Sequence, residues 1–133
     1  MKKMKYLVAG LLMMGLSVPV MAQNANYSDL LKPIEQTLKS NANLDAKGIK
    51  DLTKEYQKEF KKDPKALVAL GNTLLMSKKY DDASAIANMV ITKFKDYGDA
   101  YILLGDISAM KDDGGDAAMW YQQSMTMDPK NPN

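Results

Sequence analysis

Pro64-Lys65-Ala66-Leu67-Val68-Ala69-Leu70-Gly71 and Gly98-Asp99-Ala100-Tyr101-Ile102-Leu103-Leu104-Gly105 decide how this chain folds. Set one above the other, Ala66 falls on Ala100, Leu70 on Leu104 and Gly71 on Gly105, all at one constant offset. Asp82-Ala83 falls on Asp116-Ala117 at the same offset, so the period runs through both copies without insertion. A fixed period of about 34 residues marks repeated supersecondary units, none of which buries its apolar face alone.

Each copy reads as two helices joined by a tight turn. In the first, Leu67, Leu70, Leu74 and Leu75 mark one helical face, and Ala83, Ile86, Ala87, Val90, Ile91 and Phe94 mark the next. Ser77-Lys78-Lys79-Tyr80 is the turn between them. In the second copy Tyr101, Leu104, Ile107 and Ser108 precede the turn Lys111-Asp112-Asp113-Gly114-Gly115, where the glycine pair is expected to ease the chain reversal. Ala117, Trp120, Tyr121, Ser124 and Met127 follow on the last helix. Gly71 and Gly105 are expected where paired helices approach most closely, with Ala83 and Ala117 facing them; a larger residue there forces the helices apart.

The run Leu67, Leu70-Gly71, Leu74, Tyr80, Ala83, Ala87, Val90, then Tyr101, Leu104-Gly105, Ala117, Tyr121, Ser124, Asp128-Pro129 resembles the tetratricopeptide repeat family. The resemblance spans residues 64–131, as repeats 64–97 and 98–131. The first copy has Lys95-Asp96 where the closing Pro belongs, and the second lacks the Tyr before its Ala, which implies a looser turn. The fold implied is all-α, with antiparallel helix hairpins stacked as a short right-handed solenoid. In that family the first helix of each hairpin lines a concave groove for a segment of another protein. By family register, Val68, Asn72 and Leu75, with Ile102, Asp106 and Ala109, point into it; the competing expectation is that they pack within the stack. Members that clamp a terminal carboxylate use several Lys, Arg and Asn residues. Only Asn72 fits that pattern here, Val68 stands where a clamp Lys belongs, and the chain has no Arg. The resemblance therefore implies a partly apolar groove rather than a carboxylate clamp.

Upstream, residues 23–63 read as a degenerate repeat or an N-terminal helical cap. Tyr27, Leu30, Leu31, Ile34 and Leu38 mark one amphipathic helix, with Ser28 or Asp29 as its expected N-cap and Pro33 tolerable near its first turn. Leu44, Ile49, Leu52, Tyr56 and Phe60 mark a second, ending at Asp63-Pro64. Lys50, Lys54, Glu55, Lys58 and Glu59 give it a solvated face where helix pairs are expected.

Residues 1–22 read as an export signal. Lys2, Lys3 and Lys5 open the chain without an acid, and Tyr6–Leu16 is an unbroken apolar and Gly stretch. Val20-Met21-Ala22 ends it in the small-x-small pattern of signal peptidase sites, which places cleavage between Ala22 and Gln23. Pro19 and a stretch short of the roughly 20 apolar residues of a span argue against a membrane anchor. The chain has no Cys to carry a lipid. The expected location is periplasmic or secreted, in a Gram-negative bacterium, with no stable membrane anchor after cleavage. The whole chain has 133 residues and a formal charge of +2, but without the signal 15 Lys stand against 16 acids, a charge of −1. The electrostatic case for a nucleic-acid partner disappears with that sign change.

The missing residues exclude chemistry as well. With no His and no Cys, the chain has no Ser-His-Asp triad, no thiol nucleophile and no His or Cys zinc site. No enzymatic activity, cofactor or metal is expected; a hydrolase using paired carboxylates is the residual alternative. Asp112-Asp113-Gly114-Gly115-Asp116 looks like a calcium loop, but the places that need Gly and Glu hold Ala117 and Gln123. Trp120 and Tyr121 suggest a sugar platform, and an accessory role or fragment of an outer-membrane glycan-capture system is the alternative function; packing in the last helix is the simpler reading. Asn26-Tyr27-Ser28 has the form of a glycosylation sequon, incidental behind a bacterial signal. Met76, Met110, Met119, Met125 and Met127 cluster in the repeats, where packing is expected over a permissive binding surface. Residues 132–133 begin a linker or a further repeat. The expectation is a fragment of a longer array, or self-association through an apolar end bearing Trp120, Met125 and Met127. The function expected is an exported scaffold mediating protein–protein contact with a protein or peptide partner.

Overall fold

The structure, a computed structural model, describes residues 26–131; the expected signal 1–22, its cleavage pair Ala22 and Gln23, and residues 132–133 lie outside the described residues. Six helices follow in order: α1 (Tyr27–Ser40), α2 (Ala46–Glu59), α3 (Pro64–Met76), α4 (Tyr80–Lys93), α5 (Gly98–Met110) and α6 (Gly114–Met127). The fold is all-α, built from helical hairpins in sequence. Among the described residues no helix is long and apolar enough to cross a membrane. The chain divides into two compact units after Glu59, shortly before the Asp63-Pro64 boundary.

In the first unit α1 packs on α2. The N-cap of α1 is Asn26, not Ser28 or Asp29: its side-chain oxygen accepts from the Ser28 backbone N–H at 2.9 Å. Asp29 instead falls inside the first turn, where a negative charge suits the helix N-terminus, and pairs with Lys32 at 3.7 Å. Pro33 sits within the helix. Ile34 and Leu38 of α1 are buried, as are Ile49, Leu52, Thr53 and Tyr56 of α2. Thr53 is tolerated there because its hydroxyl donates to the Ile49 carbonyl at 2.9 Å and accepts from Gln57 at 3.0 Å. Asp45 holds the start of α2 by accepting from the Gly48 N–H at 2.8 Å. The within-helix ion pairs expected on α2 occur on α1, as Asp29–Lys32 and Glu35–Lys39. Residues four apart on α2, such as Lys50 and Lys54 or Glu55 and Glu59, carry like charges and repel.

The second unit holds both repeats. Asp63 caps α3 by accepting from the Ala66 N–H at 3.2 Å, and Pro64 takes the first helical position, where its missing N–H costs nothing. α3 and α5 end in the same device. Lys79 N–H donates to the Leu74 carbonyl and Lys78 N–H to the Leu75 carbonyl, both at 2.9 Å; Asp113 and Asp112 do so to Ser108 and Ala109 at 2.8 and 3.1 Å. These are Schellman closures, which place one residue in the left-handed region. That residue is Lys78 (φ 63°) in the first copy and its repeat equivalent Asp112 (φ 62°) in the second. The glycine pair therefore does not supply the reversal: Gly114 and Gly115 are the first residues of α6, and no described glycine has positive φ. Nor is the second turn looser, since both copies close through the same bonds. An exposed lysine in the left-handed region carries a Cβ penalty that glycine lacks. Lys78→Gly should raise unfolding free energy by about 1 kcal/mol, read as a higher urea midpoint at unchanged slope.

α3 packs on α4 and α5 on α6, while α4 and α3 both pack on α5, so the second hairpin sits against both helices of the first. Leu67, Leu70, Leu74, Val90 and Leu103 of this unit are essentially solvent-free, each worth roughly 1.5–3 kcal/mol of burial. Ala83 and Ala117 are buried as expected, while the atoms nearest to a Cβ built on either glycine belong to larger side chains. A Cβ on Gly71 would collide with the Leu103 side chain of α5 and touch Ile86 of α4 at 3.5 Å. The Gly71 notch thus faces the meeting of α4 with α5 and receives a leucine of the next hairpin. At Gly105 the equivalent space is taken by the ring of Tyr121 from α6. The residue one repeat before Tyr121 is Ala87, whose small side chain leaves the first notch open for Leu103.

The ends of the second hairpin are tied by polar groups. Gly98 N–H donates to Asp128 at 3.0 Å, Ser124 Oγ donates to the Gly98 carbonyl at 3.0 Å, and Asn131 donates to Asp99 at 2.8 Å. A Cβ on Gly98 would meet Asp128 Cβ at 2.8 Å and Ser124 Oγ at 2.9 Å, so glycine is required there for close approach.

Candidate binding face

α3 and α5 occupy equivalent repeat positions and pack side by side, so residues one repeat apart form pairs along their outer face. Of the six expected groove residues, that face keeps four. Asn72 and Ala109 are exposed, and Ile102 and Asp106 are half-buried. Val68 and Leu75 are corrected: at 6% and 3% exposure they are core residues with no side-chain surface to offer a partner. The reason lies in α3 itself, where seven of the residues from Ala66 to Leu75 are buried, leaving Lys65, Asn72 and Met76 as its exposed residues.

Two residues that sequence reasoning assigned to packing belong to the face instead. Met76 is 75% exposed and its repeat equivalent Met110 is 45% exposed. Asn72 and Met76 are four apart on α3, and Asp106 and Met110 four apart on α5, so each helix presents one polar group and one thioether on one side. The period relates Met76 to Met110 but does not reveal their exposure, since Ala66 and Ala100 or Leu70 and Leu104 repeat in the same way and are buried.

Asp106 is held from the neighbouring helix. Tyr121 donates its phenol hydrogen to Asp106 Oδ1 at 2.6 Å. That hydrogen bond, with burial and the nearby carboxylate charge adding to it, pushes the Tyr121 phenol up to about 12. A raised acid favours its protonated form in the folded state. The contribution to stability is therefore complete below the ordinary phenol range and is lost as pH rises toward 12. Burial, with the nearby Asp96 carboxylate, also pushes the Tyr101 phenol up, so titration of tyrosinate absorbance should show more than one late-ionising tyrosine. The component near 12 should vanish in Tyr121→Phe and move back toward the ordinary phenol range in Asp106→Asn.

The remaining candidates have structural duties. In the acidic turn Asp113 caps α6, accepting from the Asp116 N–H at 3.2 Å. A side-chain hydrogen bond to Asp113 and that residue's like charge push the Asp116 carboxyl above its ordinary range. Among the described residues no group of three or more His, Cys, Asp or Glu is placed to hold a metal ion. Trp120 is half-buried, its ring tilted 34° on that of Tyr101 with centroids 6.4 Å apart; Tyr101 in turn donates to the Lys95 carbonyl at 3.0 Å.

The face offers apolar thioether surface, one amide that both donates and accepts, and one carboxylate. That set suits noncovalent contact with a peptide carrying apolar side chains and a hydrogen-bond donor. Comparison of the sequence with protein-family models and with curated proteins gives no match.

Proposed function

We propose that this chain is an exported, non-enzymatic helical-repeat scaffold that holds a peptide segment of a protein partner on the outer face of α3 and α5. The observation that carries the reading is the pairing on two packed helices of Asn72 with Asp106 and Met76 with Met110, both at the repeat offset. Residues repeated on a solvent-facing strip gain nothing for the core, whereas a segment running across both helices meets the same chemistry twice. The resemblance to tetratricopeptide repeats and the signal-like stretch 1–22, both read from sequence, support the same conclusion. Adaptable methionines suit a surface that accommodates more than one apolar side chain.

Peptide display against the chain tests it. Selected peptides should lose about tenfold or more in affinity for Met76→Glu/Met110→Glu, a loss of about 1.4 kcal/mol, and keep their affinity for Met119→Glu on α6. Equal affinity for all three proteins would place binding elsewhere. Polysaccharide titration should leave Trp120 fluorescence unchanged; a saturable change would favour the glycan-capture alternative.

A further inference from the structure

Methionine is among the residue types most often found fully buried. Here none of the six described methionines is. Met76, Met110, Met119 and Met125 are 75%, 45%, 50% and 67% exposed, and Met89 and Met127 are half-buried. The core is built from Leu, Ile, Val, Ala, Tyr and Phe. The chain also has no Cys, so no thiolate competes for an oxidant and the thioethers are its softest accessible nucleophiles. Oxidation of a buried methionine puts a polar sulfoxide into packed hydrocarbon and disrupts it; oxidation of these four places the new dipole in water.

We infer that Met76, Met110, Met119 and Met125 are reversible oxidation sites that take an oxygen atom from peroxides while the fold stays intact. The sulfur lone pair attacks one peroxide oxygen and the O–O bond breaks. The sulfur loses two electrons as it becomes the sulfoxide. The departing oxygen leaves as hydroxide and takes the proton from the oxygen now bound to sulfur, which gives water and the neutral sulfoxide. Methionine sulfoxide reductases reverse the change at the expense of a thiol pair. Two of the four sites lie on the α3–α5 face, where conversion replaces a flexible apolar contact by a polar one. That consequence rests on the proposed binding face; the oxidation itself does not.

The test is graded treatment of the chain with hydrogen peroxide, followed by peptide mass spectrometry and circular dichroism. The four exposed methionines should oxidise about fivefold or more faster than Met89 and Met127, as thioether exposure dictates. Helical signal and cooperative melting should survive, and reductase treatment should restore the original mass. Met89 or Met127 oxidising as fast as the four, or melting that loses cooperativity once the four are converted, overturns the inference. Peptides selected on the reduced chain should bind the wild type more weakly after oxidation, whereas peroxide treatment of Met76→Leu/Met110→Leu should not change whatever affinity that variant had before treatment. Equal loss in both overturns the placement on the α3–α5 face. A display experiment that selects nothing speaks against the binding face and leaves the oxidation rates fully readable.

Discussion

Gly71→Leu should cost the fold about 3 kcal/mol, the upper end for overpacking a close-packed site. The Gly71 notch is already filled: even a Cβ there would collide with the Leu103 side chain, and Ile86 closes the other side at 3.5 Å. Leu103 cannot swing aside cheaply, since it is 1% exposed and its surroundings are core. Part of the cost is offset because leucine is the better helix former by somewhat under about 1 kcal/mol. The loss should appear in urea denaturation as a lower midpoint, together with an earlier thermal transition. Gly105→Leu makes a useful comparison. Its notch is filled by Tyr121, which is 36% exposed and has solvent on one side. The ring can be displaced outward, so the penalty there should be smaller.

Leu103→Ala should be at least as damaging, within the roughly 2–5 kcal/mol seen when a buried leucine is truncated. Leu103 reaches from α5 into the space over Gly71 of α3, so it joins the second hairpin to the first, and little beside that space can expand to refill it. Gly71 has no side chain, and the equivalent of the Tyr121 ring in the first copy is Ala87, itself fully buried. The cavity therefore stays open, which places the effect toward the upper half of that range. A substitution of Leu75→Ala would share the loss of buried area but leave the hairpin junction in place.

The helices and their hairpin pairing are legible in the sequence because two signals agree. Apolar residues recur at helical spacing, and the same pattern returns one period later with its Leu-Gly pair intact. Asp63-Pro64 announces the start of α3 for reasons of capping and missing N–H that need no tertiary information. What could not be read was direction. α3 is apolar on nearly every side, with Ala66, Leu67, Val68, Leu70, Leu74 and Leu75 all buried, so no periodicity separates an inner face from an outer one. Family register placed Val68 and Leu75 in a groove; the structure buries both and leaves Lys65, Asn72 and Met76 exposed. The methionines mislead similarly, because an apolar side chain in an apolar repeat reads as core until its exposure is seen. The glycine pair of the second turn misleads for a different reason. The left-handed position is set by the hydrogen-bond register at the end of α5, which falls on Asp112 whatever residues follow it. Tyr121 could not be placed over Gly105 without knowing that Ala87 leaves the corresponding space to Leu103.

Urea unfolding of wild type, Gly71→Leu, Leu103→Ala and the double variant tests most directly that the two repeats stack through one glycine notch in the register of the sequence period. The double variant exchanges the filler of the notch from α5 to α3 at nearly constant volume. It should be more stable than the sum of the single losses requires, with a coupling of about 1–3 kcal/mol. Losses that simply add, to within about 0.5 kcal/mol, would mean that Leu103 does not occupy the Gly71 notch and that the hairpins do not stack in this register.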